Sequence, residues 1–180
     1  CRPTRWVSTA STALTTASPL VCTVVGFPHG ANNLATKVFE TREAIAAGAD
    51  EVDMVISLDA IVRADVAAME REVRAVVDAA DERIVKVILE TGNLDRTQIV
   101  AGCEAINRAG AHFVKTSTGF LGAGAQRDHV RLLREVANPS VGVKASGGIR
   151  DRETAIAMID AGAQRLGLSK TARVLGYEPP

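Results

Sequence analysis

Aromatic residues make up only 3% of the 180-residue chain, so Val, Ile, Leu and Ala must fill the core that its 47% hydrophobic content can build. Net charge is missing too: 21 Lys and Arg balance 21 Asp and Glu. That argues against nucleic acid as the main partner, while leaving room for a local cationic pocket. No apolar stretch in the sequence approaches the ~20 residues that cross a bilayer, so no membrane partner is expected. Cysteine is scarce. Cys1, Cys22 and Cys103 show no metal-ligand spacing, and neither do His29, His112 and His129, so no metal site is expected. An odd, unpatterned cysteine set favours a reduced, cytosolic protein, with Cys22 and Cys103 most simply read as core residues. Acidic residues are absent before Glu40. Residues 1–18 hold five Thr, three Ser, Arg2 and Arg5, a transit-peptide-like composition. Trp6, Ala10, Ala13, Leu14 and Ala17 nevertheless fall on one face at helical spacing, which favours a surface helix.

What the chain does have is a repeat. Strand-like runs begin near residues 21, 51, 84, 111, 141 and 165, and helix-like sequence follows each. A near-constant period of this size is one βα unit repeated within one domain. Leu34, Val38 and Ile45 suit an amphipathic helix closed by Gly48. Met69, Val73, Val76 and Ala80 mark the next helix. Asp95 and Gln98 resemble a capping box that opens a stripe of Ile99, Cys103 and Ile106. Val130, Leu133 and Ala137, then Ala155, Met158 and Ile159, mark two more. Ala-Gly-Ala recurs at 47–49, 109–111 and 161–163, each time between a helix and the next strand.

Four of these runs carry a charge: Glu51-Val-Asp53-Met-Val-Ile56, Arg83-Ile-Val-Lys86-Val-Ile-Leu89, His112-Phe-Val-Lys115-Thr-Ser117 and Val141-Gly-Val-Lys144-Ala-Ser146. A charge within a buried strand costs several kcal/mol unless it is paired. An open doubly wound sheet and a (β/α)8 barrel both fit six βα units. Charges lying within strands, flanked by small residues, favour the barrel, where alternate side chains point inward.

Lys115 and Lys144 are one βα unit apart and should stand on neighbouring strands at similar height. Two crowded ammonium groups in a partly dry pocket disfavour each other's charge. A neutral lysine is the nucleophile that forms a Schiff base. Asp53 could stabilise the remaining cation or move protons, with Lys86 tying its carboxylate down. For Asp53 and Lys86 alone, a buried ion-pair network without chemistry fits as well. Gly147-Gly148 and Gly167-Leu-Ser169-Lys170 close the last two units, where phosphate-binding barrels hold their anion. Gly119, after Thr118, adds a loop on the same rim. Taken singly, a Gly-Gly pair is ordinary turn chemistry. His29 is read as a turn residue that could touch substrate. Phosphate loops with a reactive lysine point to a sugar-phosphate aldolase.

The chain resembles the 2-deoxyribose-5-phosphate aldolases, a class I aldolase family, from Val21 to Leu175. The resemblance rests on Val21-Cys-Thr-Val-Val-Gly-Phe-Pro, Gly48-Ala-Asp-Glu-Val-Asp53-Met-Val, Val114-Lys115-Thr-Ser-Thr-Gly-Phe120 and Val143-Lys144-Ala-Ser-Gly-Gly-Ile-Arg150. It implies a (β/α)8 barrel that cleaves 2-deoxy-D-ribose 5-phosphate to glyceraldehyde 3-phosphate and acetaldehyde without metal or organic cofactor. It also implies that Lys115 forms the Schiff base, Lys144 lowers its pKa, Asp53 relays protons and Lys86 accompanies Asp53. Gly119, Gly147, Gly148 and Ser169 match phosphate-binding positions. Cys1-Arg-Pro looks like the end of the family's second strand, so the expectation is a single barrel domain over 1–180, N-terminally truncated. It would lack the first strand, the first helix and most of the second strand. Lys170 stands where a second serine is common. The expected partner is a small sugar phosphate in the cytoplasm, and a homodimer is left open. Two rival readings are an aldolase of the same chemistry for another sugar phosphate and an inactive fragment that binds phosphate.

Overall fold

The computed structural model describes Val7 and residues 19–177. The expected surface helix within residues 1–18, and the strand end at Cys1, lie outside those residues, Val7 excepted. Among the described residues, six parallel strands form one sheet in sequence order. They are β1 (Cys22–Val25), β2 (Glu51–Val55), β3 (Ile84–Ile88), β4 (Phe113–Lys115), β5 (Gly142–Ser146) and β6 (Arg165–Gly167). The helices are α1 (Leu34–Ala46), α2 (Leu58–Val62), α3 (Val66–Ala79), α4 (Arg96–Ala109), α5 (Arg127–Val136), α6 (Arg152–Asp160) and α7 (Thr171–Val174). Each strand begins within about two residues of its sequence-based start.

Among the described residues the strand order never reverses, so they show no switch point of the kind a doubly wound sheet would have. The sheet is also curled. In a flat sheet, three strand spacings would hold β2 and β5 about 14 Å apart. Yet Asp53 on β2 and Lys144 on β5 meet at 2.7 Å. Glu51 on β2 likewise meets Arg165 on β6 at 2.7 Å. The architecture is a half-barrel of the (β/α)8 type.

Strand alternation splits the sheet into two chemically distinct faces. Val52, Met54, Val85, Val87, Val114, Val143 and Ala145 turn outward, where Met69, Val73, Ile99, Ile106 and Leu133 from the surrounding helices bury them. The inward positions of the same strands carry the polar residues Glu51, Asp53, Lys86, Lys115, Lys144 and Ser146, all buried, alongside the apolar Val55 and Ile88. The main aliphatic core therefore lies between sheet and helices, and the charged groups are gathered inside the curl.

Local signals explain the helix ends. Asn33, Asp65 and Asp151 cap α1, α3 and α6 by accepting from backbone N–H groups. Asp95 and Gln98 form the full capping box of α4. Gly48, Gly110 and Gly162 have φ of 97°, 78° and 110°, the left-handed conformation that lets each helix stop and turn into the next strand. Two details differ from the sequence reading. The buried face of α1 is Lys37, Thr41 and Ala44, while Leu34 is exposed, because this helix docks through an ion pair of Lys37 with Glu72 of α3. Ile159 of α6 is likewise exposed.

Candidate active site

β4 and β5 pair in a register that sets Lys115 directly beside Lys144, and β2 and β3 pair with Asp53 beside Lys86. The curl then brings both pairs together. Lys115 Nζ donates to Asp53 Oδ2 at 2.8 Å, and Lys144 Nζ donates to the same oxygen at 2.7 Å. Lys86 Nζ donates to the other oxygen, Oδ1, at 2.8 Å and reaches Glu51 Oε2 at 2.6 Å. Asp53 and Lys86 are fully buried, and Lys115 and Lys144 nearly so.

The electrostatics follow from this sharing. Burial by itself would raise the Asp53 carboxyl, but Lys115, Lys144 and Lys86 outweigh it and hold the group well below the usual carboxylate range. Burial likewise pushes the Lys115 ammonium down. Asp53 opposes that push, Lys144 reinforces it, and the net pKa lies below an ordinary lysine. Lys86 goes the other way: burial lowers it, but Asp53 and its other partners raise it above an ordinary lysine. Of these two amines, Lys115 is the one disposed to lose its proton and Lys86 the one disposed to keep it.

Lys115 and Lys144 open onto a cleft of about 630 Å³, which Gly119, Gly147, Gly148 and Ser169 also line. Gly147 sits where two loops touch. Its φ is 88°, and a Cβ there would come 3.0 Å from Gly124 Cα, while its carbonyl accepts from Ala125 N at 3.0 Å. The pinch holds the Gly119–Gly124 loop against the β5 loop. Phe27 and Phe120 meet edge to face at 5.3 Å between ring centres on the same cleft wall. Lys170 is exposed and does not line the cleft. His29 belongs to a different cleft, of about 450 Å³, with Asn33, Ser57 and Glu72. Among the described residues, no cluster of His, Cys, Asp and Glu could hold a metal ion.

The sequence reading missed several groups. Cys22, read as core, is half-buried on the cleft wall, with Sγ 3.2 Å from Asp53 Oδ1. The strand ends pack it against charge rather than hydrocarbon, and burial followed by Asp53 pushes its thiol up. Cys103 is the core residue it was read as, its thiol pushed up to about 12 by burial. Glu51 stands two residues before Asp53 and so shares its inward face; alternation alone could have flagged it. Glu90, just after β3, is buried in a left-handed conformation at φ 61°. Its Oε2 accepts from Thr118 N at 3.0 Å and from Thr118 Oγ1 at 2.5 Å, tying down the loop that carries Gly119. Nothing in the local sequence signals that long-range bond.

Residues 8–169 match the family described as DeoC/LacD family aldolase. A deoxyribose-phosphate aldolase of Bacillus licheniformis is 52% identical over 165 residues, covering 91% of this chain and 74% of that one. Another, from an Exiguobacterium species, is 53% identical over 170 residues, covering 94% and 77%. Among solved structures, the deoxyribose phosphate aldolase of Aeropyrum pernix, described as having a unique tetrameric structure, superposes with a TM-score of 0.89 at 35% identity, covering 97% of this chain and 74% of that chain.

Proposed function

This chain belongs to the DeoC/LacD family of aldolases, and on that premise we propose that it cleaves 2-deoxy-D-ribose 5-phosphate through a Schiff base on Lys115. The observation that carries the reading is the sharing of one Asp53 oxygen by Lys115 and Lys144 at 2.8 and 2.7 Å. One carboxylate cannot neutralise two buried ammonium ions, and the amine that loses its proton becomes a nucleophile.

In this reading Lys115 Nζ adds to the aldehyde carbon C1 of the open-chain sugar, and loss of water gives a protonated imine. A base removes the proton from the C3 hydroxyl. The C2–C3 bond then breaks, since acetaldehyde keeps two carbons, and its electron pair moves into the imine to give an enamine. Glyceraldehyde 3-phosphate leaves. Protonation at C2 and hydrolysis release acetaldehyde and restore the amine. Asp53 and Lys144 handle the protons, supported by the bond of Lys115 to Asp53, by the bond of Lys144 to the same oxygen and by the opening of Lys144 onto the cleft. Lys86 keeps Asp53 in place. The phosphate is assigned to Gly119, Gly147, Gly148 and Ser169, supported by their position on the same cleft. The odd, unpatterned set of three cysteines supports a reducing compartment such as the cytoplasm. The homodimer belongs to the same proposal. Sedimentation equilibrium checks it, and a monomer would overturn it.

Release of acetaldehyde and glyceraldehyde 3-phosphate from 2-deoxyribose 5-phosphate, followed by coupled dehydrogenase assays, tests the proposal. Turnover of this substrate ahead of other aldose phosphates is expected. Folded protein that turns over a different sugar phosphate instead would reassign the substrate, and folded protein inert to all of them would overturn the reading.

A further inference from the structure

The charge chain does not end at the cleft. Lys86 Nζ, which holds Asp53, also contacts Glu51 Oε2 at 2.6 Å. Both oxygens of Glu51 in turn accept from Arg165 Nη1, at 2.8 and 2.7 Å. Arg165 lies over the Phe113 ring, 4.8 Å from its centre, which fixes the guanidinium between β6 and the start of β4. The Glu51 side chain is 5% exposed and that of Arg165 37% exposed, so the chain runs from a half-open end of the curl to the buried amines.

We infer that Glu51 and Arg165 form a positioning pair that sets the protonation of Lys115 from a distance, acting through Lys86 and Asp53. The inference rests on the reading of Lys115 as the nucleophile. Neither residue lines the Lys115 cleft, so neither is a catalytic residue in the sense of touching substrate. Their effect is one of charge balance. Glu51 shares the charge of Lys86, which leaves Asp53 freer to serve Lys115 and Lys144. Arg165 draws on Glu51 and limits that help. Among the described residues, the groups facing the chain from the other elements are Cys22 on β1 and the paired amines of β4 and β5. Arg83 and Asp50 form a separate, more exposed pair at 4.0 Å, and His112 Nδ1 accepts from the Val85 amide.

A structural strut and a charge-setting pair differ in sign. If the pair only braced β2 against β6, losing either partner would have the same effect. If it sets charge, the two partners act oppositely. Removing the anion makes the surroundings of Lys115 more positive, lowers its pKa and moves the acid limb of imine formation to lower pH. Removing the cation moves that limb to higher pH.

The test is the rate of borohydride trapping with acetaldehyde as a function of pH, in wild type, Glu51→Gln, Arg165→Met and the double variant. The limb is expected to move by roughly one pH unit downward for E51Q and upward for R165M, about what a single charge some 10 Å away produces at an effective dielectric of about 20. The double variant should return towards wild type. Shifts in the same direction, or none, overturn the inference. Should E51Q fail to fold, the half-exposed Arg165 carries the test alone: R165M must move the limb up and Arg165→Lys must restore it, and any other pattern overturns the inference. Failure of wild-type trapping at Lys115 is a separate result, which strikes the proposed function rather than this pair.

Discussion

Two lysines of this protein are buried to a similar depth and play unlike parts. Lys37, on α1, lies outside the barrel curl. Its Nζ donates to Val55 O at 2.9 Å and to Glu72 Oε1 at 2.7 Å, and the other oxygen of Glu72 accepts from Ser57 N at 2.7 Å. Even the backbone makes room for it: a Cβ on Gly26 would stand 2.8 Å from Lys37 Cε. One cation meets one anion, and both are satisfied by hydrogen bonds. Lys115, inside the curl, instead shares Asp53 with Lys144 and Lys86. Burial of a lysine is therefore no sign of chemistry. An excess of amines over carboxylates is, because such a cluster has a proton to give up.

The hardest strain on this comparison comes from deleting each amine. Lys115→Ala should cut turnover by roughly 10⁴-fold or more, the scale of losing a covalent nucleophile, and leave thermal unfolding nearly unchanged. Lys37→Ala should do the reverse. Stranding the Glu72 carboxylate should cost about 3–5 kcal/mol in urea unfolding, while the specific activity of the folded fraction stays that of wild type. If Lys37→Ala lost activity without losing stability, the contrast between the two regions would fail.

Smaller changes sharpen it. Lys144→Leu removes the neighbouring charge that helps depress Lys115. The Lys115 pKa then rises, less of the amine is neutral near pH 7, and the acid limb of the rate profile should move up by about one unit. A downward movement would contradict the crowding argument. The least effect is expected at the loop tie. Glu90→Gln weakens the charge-assisted bonds to Thr118 by about 1 kcal/mol. That should appear as a several-fold higher KM for the phosphorylated sugar, with imine trapping of acetaldehyde untouched.

Much of this was legible in the sequence because it is local or periodic. A constant βα period sets the strand order, and period-2 alternation places Lys86, Lys115 and Lys144 on a single face. The Asp95–Gln98 box and the three Ala-Gly-Ala stops are written within a few residues each. What escaped depends on the curl. Arg165 meets Glu51 across 114 positions, and Glu90 meets Thr118 across 28, with no spacing rule to announce either contact. Cys22 looked like core because small, weakly polar side chains normally are core, yet the strand turns it towards Asp53. Lys37 was passed over for a related reason. An apolar stripe of Leu34, Val38 and Ile45 read as the buried face, and only the partner on α3 reveals that a cation occupies that place.

The most direct test of the claim that crowding singles out one amine is residue-level mapping of the borohydride-reduced acetaldehyde adduct in folded wild-type protein. Mass spectrometry of the digested chain should find the two-carbon adduct on Lys115, with Lys37, Lys86 and Lys144 unmodified. An adduct on Lys144 or Lys86, or a folded protein left unlabelled at Lys115, would contradict it.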